Sequence, residues 1–190
     1  SLMSDLDRLR KYRKDLLLAE SAAWLHDMGK CADEHIINQA SDRPNGYSYQ
    51  YKKDYSFLLN SAPSLNLIGE SISMKALVEE ARPKVVQDSK NTWILRTLGR
   101  CHCAAHIEKE EAAKSGKQLH SQTRLSNVFG FEAAPLKSLA GKLEALPFSD
   151  LYNRKKFFQA GISAFSEAPG ETRIPENEVT LWEWSSIVAA

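Results

Sequence analysis

The chain predicts an all-α fold, and two observations carry that prediction. Apolar residues recur at helical spacing in several separate stretches, and alternation of strand type is nearly absent. At 190 residues there is material for one domain with a real core and too little for two. No internal repeat is visible. Residues 1–190 therefore read as a single domain. The last stretch, 178–190, starts a helix that the chain end interrupts, so the expectation is a domain excised from a protein that continues past Ala190.

Residues 15–30 are the stretch around which the rest is organised. Leu16, Leu17, Leu18, Ala19, Ala22, Ala23, Trp24 and Leu25 make nearly every side of it apolar, which predicts a helix running through the middle of the domain. Near the end of this apolar rod sit His26 and Asp27. Burying an imidazole and a carboxylate without partners costs several kcal/mol, and a metal ion removes that cost. Gly29 is suited to end the helix, and Lys30 places a cation beside whatever the pair holds. Taken alone, the pair also reads as a buried histidine bonded to its neighbour.

The flanking pieces follow in order. Residues 6–14 are basic, with Leu6, Leu9 and either Tyr12 or Arg13 expected to face inward, and should lead straight into the core helix. Their polar side is a solvated face or a strip that touches phosphates. Residues 31–40 predict a short helix carrying His35. Residues 41–53 predict a loop broken by Pro44, Asn45 and Gly46. Its Tyr47, Tyr49 and Tyr51, with Lys52 and Lys53, either stack on bases or pin the loop. Residues 58–69 read as irregular, and 71–81 as a helix ended by Pro83.

Residues 92–114 are the second informative stretch. Trp93, Ile94, Leu95, Leu98, Ala104, Ala105 and Ile107 give a helical apolar pattern, and His102 and His106 lie four apart, stacked on one face. That spacing is the one helical metal sites use, with Glu108, Glu110 and Glu111 placed to orient the rings. Cys101 and Cys103 flank His102, but they lie too close together, and lack the second pair, for a zinc knuckle. Residues 114–131 are polar and should be exposed, His120 among them. Helices are expected over 134–146, with Leu136, Leu139, Leu143 and Leu146 on one side, and over 150–165. The latter turns Arg154, Lys155 and Lys156 outward and Phe157, Phe158, Ile162 and Phe165 inward. Residues 168–177 form a connector.

Twenty-five Lys and Arg against 24 Asp and Glu leave a net charge of +1, so no global field advertises a polyanionic partner. Three cysteines without a disulfide framework suit a reducing compartment, and the cytoplasm is the expected location. No apolar run is long enough to span a membrane, so no membrane partner is expected.

His26-Asp27-Met28-Gly29-Lys30 after an apolar helix resembles the signature of the HD superfamily, metal-dependent phosphohydrolases with an all-helical fold. Ordinary members carry a first ligand histidine upstream of the pair, whereas no histidine precedes His26. The order is instead similar to the circularly permuted HD domain at the N-terminus of the large subunit of type III CRISPR effector complexes. The closing segment, Arg173-Ile174-Pro175 then Leu181-Trp182-Glu183-Trp184-Ser185 and Ala189-Ala190, resembles that family's boundary before its Palm-like polymerase domain. The family usually has an Asp-His pair there. This chain has Glu183-Trp184, which is similar to a divergent branch.

The resemblance implies a single, permuted HD-type domain in which His26 and Asp27 are metal ligands and His102 or His106, or both, supply the remaining imidazoles. Lys30 either adds positive charge at the phosphate oxygens or, as a helix-end lysine, balances the helix dipole. Such domains cleave single-stranded DNA, in company with the other subunits of a ribonucleoprotein effector complex. Imidazoles with a carboxylate suit a divalent transition metal, Mn, Ni, Co or Fe, better than Mg. Two other readings stay open: an HD-family phosphohydrolase of nucleotides or cyclic dinucleotides, and an inactive HD scaffold used for subunit contacts.

Overall fold

The computed structural model describes residues 4–31, 57–105, 153–166 and 181–190, with backbone alone at 30, 31, 57, 58 and 164. These residues are mostly helical, with one small two-stranded sheet that the all-α expectation lacked.

Helix α1 runs without a break over Asp5–Leu25. Ser4 starts it, its Oγ accepting from the Asp7 amide at 3.2 Å and so satisfying one of the orphan donors of the first turn. The basic stretch does feed straight into the core helix. Leu6 and Leu9, expected to face inward, are instead 56% and 57% exposed, because full burial on α1 begins only at Leu18. The first turns extend past the core. From Ser21 to Leu25 every position is buried, which is where the all-round apolar pattern holds. The helix also ends sooner than Gly29 suggested. His26 is its C-cap, with φ −59° and ψ −26°, and a 3-10 turn over Met28–Cys31 follows.

Residues 58–69 are not irregular. A 3-10 turn over Phe57–Ser61 leads into strand β1, Ser64–Leu67, which pairs antiparallel with β2, Glu70–Ser73, in a register that sets Leu65 against Ile72. Leu65 and Leu67 are buried while Ser64 and Asn66 are exposed, a period of two too short to stand out in the sequence. Ile68 and Gly69 make the turn with φ of 50° and 79°, the signs a two-residue type I′ hairpin requires. The helix expected over 71–81 is correspondingly shorter: α2 spans Met74–Glu80, because Ser71 and Ser73 complete β2. Ser73 then caps α2 by accepting from the Ala76 amide at 3.0 Å.

After a 3-10 turn at Pro83–Val85, α3 covers Trp93–Ala104, inside the predicted 92–114. Helix α4 covers Arg154–Phe165 and α5 covers Leu181–Ala189. On α4 the basic triplet is exposed and Phe157 and Phe165 are fully buried, as expected. Ile162 falls beside that buried stripe and is 47% exposed, against expectation. On α5 the buried residues Leu181, Ser185 and Val188 follow helical spacing and pack against α1.

The core is one cluster centred on Leu18 and Leu25 of α1, with Leu59, Leu65, Met74, Leu77, Phe157, Phe165 and Leu181 around them. An amide of the hairpin, that of Asn66, donates to Asp15 Oδ1 at 2.8 Å and ties the sheet to α1. No helix among the described residues is long and apolar enough to cross a membrane. The elements expected over 32–53, 106–146 and 168–177, including His35, the three loop tyrosines and His120, lie outside the described residues.

Candidate metal centre

The end of α1 is held from one side by aromatic packing. Trp24 stacks on Trp182 of α5 with ring centroids 3.9 Å apart, and Phe158 of α4 stands edge-on to both, 5.5 and 5.7 Å away. Three helices thus meet two residues before His26. The apolar environment reaches the polar pair itself: His26 is 2% exposed and Asp27 8%.

From the other side comes α3. Its first turn is fixed by the carboxylate of Glu70, which accepts from the Trp93 amide at 2.9 and 3.1 Å, and by Thr92, whose Oγ1 accepts from the Leu95 amide. Farther along, α3 passes against the 3-10 turn at Gly99. A Cβ there would lie 3.0 Å from Val86 Cγ2, 3.1 Å from Val85 Cγ2 and 3.2 Å from the Arg82 carbonyl oxygen, so any larger residue would press on its neighbours by a few tenths of an ångström. One turn beyond Gly99, on the same face, is His102.

The two helices bring their imidazoles together. His26 Nδ1 lies 2.7 Å from the Ala23 carbonyl oxygen. A carbonyl only accepts, so Nδ1 carries the proton and Nε2 of the neutral ring keeps its lone pair. That lone pair faces His102 Nδ1 at 2.9 Å and lies 3.4 Å from Asp27 Oδ2. His102 is half-buried, and its ring stands at 83° to that of His26. Among the described residues, His26, Asp27 and His102 form the group of donors able to hold a metal ion, one ligand atom of each lying within 4.8 Å of the others.

The separations suit a metal. Ligand atoms about 2.1 Å from a common ion lie about 3.0 Å apart at right angles and about 3.4 Å apart in a tetrahedron. The observed 2.9 and 3.4 Å fall at those values. Two nitrogens and an oxygen are also a donor set for a transition metal, and three protein ligands leave positions open for water or substrate. The Nδ1–H···O=C bond to Ala23 is the outer contact that holds a ligand ring in one tautomer.

Of the residues singled out in the sequence, His26, Asp27 and His102 are brought together, and His106 lies outside the described residues. For Lys30 only the backbone is described, in the 3-10 turn. Glu183 is exposed on α5 and is not one of the three. Cys101 is half-buried and Cys103 exposed, both as free thiols outside the group. Sequence reasoning missed Arg82, whose Nη2 donates to the His26 carbonyl oxygen at 3.0 Å. Its one signal is weak: an arginine directly before Pro83, after a short helix.

No family model, curated protein or solved structure matches this chain. The functional reading therefore stands on the chemistry of the centre and on the resemblance carried by its motif.

Proposed function

We propose that this chain is a single, permuted HD-type domain acting as a metal-dependent phosphodiesterase on single-stranded DNA. It is the kind of domain borne by the large subunit of type III CRISPR effector complexes, working in the cytoplasm beside the other subunits of such a complex. The observation that carries the reading is the meeting of His26 Nε2, Asp27 Oδ2 and His102 Nδ1 at the buried end of α1. A divalent transition metal, Mn, Ni, Co or Fe, would supply Lewis acidity toward a phosphodiester oxygen and activate water for attack.

The chain's own residues have separable tasks. His26, locked by Ala23, presents one nitrogen in a fixed direction. Asp27 supplies the negative charge that offsets part of the charge of a divalent ion. His102, brought in on α3, would supply the second imidazole of the set. His106 keeps the role the resemblance gives it, a further imidazole, and Lys30 would place a cation at the phosphate oxygens. A net charge of +1 supplies little long-range attraction, so tight DNA binding falls to neighbouring subunits.

The test is a panel of single-stranded DNA, duplex DNA, mononucleotides and cyclic dinucleotides, incubated with the purified chain and Mn or Ni. Slow, metal-dependent cutting of single strands, lost in the His26→Ala/Asp27→Ala double variant, is expected. Rapid turnover of a free nucleotide with no effect on DNA would assign the chain to the nucleotide phosphohydrolases. No turnover at all, with no metal uptake, would leave it a scaffold.

A further inference from the structure

The carbonyl of His26 sits at the C-terminus of α1, where the last carbonyls of a helix have no partner within it and carry the negative end of its dipole. Arg82 meets that end. Its Nη2 donates to the His26 carbonyl oxygen at 3.0 Å, and its Nη1 donates to the Ala81 carbonyl oxygen at 2.7 Å, so the planar fork is held at two points. The side chain starts from a fixed place, because a residue before proline is forced extended, and Arg82 has φ −137° and ψ 162°.

The backbone of the same residue is tied to the other ligand helix. Its carbonyl oxygen is one of the atoms against which α3 closes at Gly99, 3.2 Å from where a Cβ would stand, one turn before His102. One residue therefore touches both ligand-bearing helices, α1 through its guanidinium and α3 through its backbone. We propose that Arg82 is a positioning residue of the metal centre: it holds the His26–Asp27 turn at the height of α3 at which His26 Nε2 meets His102 Nδ1. The inference rests on the metal-centre reading for its consequence, and on the two hydrogen bonds for its geometry.

The test uses the full 190-residue chain with Arg82→Met, Arg82→Lys and, as a control on α3, Arg100→Met, a position that is exposed. Two readouts are taken: the nitrogen resonances of the His26 and His102 rings without metal, and the affinity for Ni by calorimetry. Arg82→Met should shift both rings and weaken Ni binding about tenfold, the scale of losing an outer contact of a metal site, with helix content unchanged. Arg82→Lys, which still reaches one carbonyl, should recover most of the affinity, and Arg100→Met should match the parent. If Arg82→Met does not fold, Arg82→Gln decides on the same readouts, weakened binding supporting the inference and parent-like binding overturning it. If the parent chain takes up no Ni, the metal-centre reading fails, and the ring resonances alone decide whether Arg82 positions His26. A folded Arg82→Met with unshifted rings and parent-like affinity overturns the inference.

Discussion

His26 and His102 are separated by 76 positions in the chain, yet their ring nitrogens Nε2 and Nδ1 lie 2.9 Å apart. With His26 Nδ1–H committed to Ala23, the neutral pair shares a single proton, which His102 Nδ1–H donates to His26 Nε2. A metal held by both nitrogens would require His102 to carry its proton on Nε2 instead, and would bind only the folded arrangement. At a hundredfold excess over its Kd such an ion stabilises by about 2.7 kcal/mol, which for a chain of this size raises Tm by roughly 5–10 °C. Thermal scans with Ni should show that rise in the parent chain and most of it lost in His102→Ala. An equal rise in both would remove His102 from the ligand set.

Gly99 offers a second handle on the same geometry. Gly99→Ala gains up to about 1 kcal/mol of helix propensity, but it drives a Cβ into two valine methyls and a backbone carbonyl, an overpacking that costs about 1–3 kcal/mol. The carbonyl cannot rotate away, so the expected net effect is a loss of about 1 kcal/mol in urea unfolding, with weaker Ni binding because His102 moves with α3. A gain in stability would show that the approach of α3 to the Arg82–Val86 turn is softer than its distances indicate.

How far the sequence reached follows from which signals are local. The core helix, the placement of His26 and Asp27 at its buried end, and His102 on a second helix were all legible, because a 3.6-residue apolar period and an isolated polar pair are readable within one stretch. The hairpin was not. Ser64–Leu67 offers two alternations, and Ser71 and Ser73 read as easily into a helix start as into a strand. The exposure of Leu6 and Leu9 was equally invisible, since helical spacing says which residues share a face and not whether anything packs on it. Arg82 was missed for the same reason: its partner, the His26 carbonyl, lies 56 positions away and bears no side-chain signature.

The hairpin turn predicts a stabilising change. Ile68 holds φ 50° with a β-branched side chain that is 63% exposed, a conformation costly for such a residue and no compensating burial to offset it. Asparagine adopts that region more readily and is a preferred first residue of this turn. Ile68→Asn should raise stability by about 1 kcal/mol in urea unfolding, while Ni affinity stays unchanged because neither turn residue is among the donors of the centre. A loss would mean that the isoleucine makes contacts outweighing its backbone strain.

Glu70 is where the hairpin meets the helix that carries His102. Both of its carboxylate oxygens lie within 3.1 Å of the Trp93 amide, at the positive end of the helix that carries His102. Two contributions are mixed there, a hydrogen bond to an orphan amide and a charge against the helix dipole, and two substitutions separate them. Glu70→Gln keeps an acceptor and removes the charge, so it should cost about 0.5 kcal/mol, less at high salt. Glu70→Ala removes both and should cost about 1–2 kcal/mol, the range for losing a cap. Thr92 still accepts from Leu95, so the first turn frays rather than unwinds, and His102 lies about two and a half turns away. Ni affinity should therefore hold in Glu70→Gln and fall at most a few-fold in Glu70→Ala, compared by calorimetry alongside urea unfolding of each variant. Loss of Ni binding in Glu70→Gln with stability intact would place the carboxylate's charge in the metal centre's own field, rather than in the support of α3.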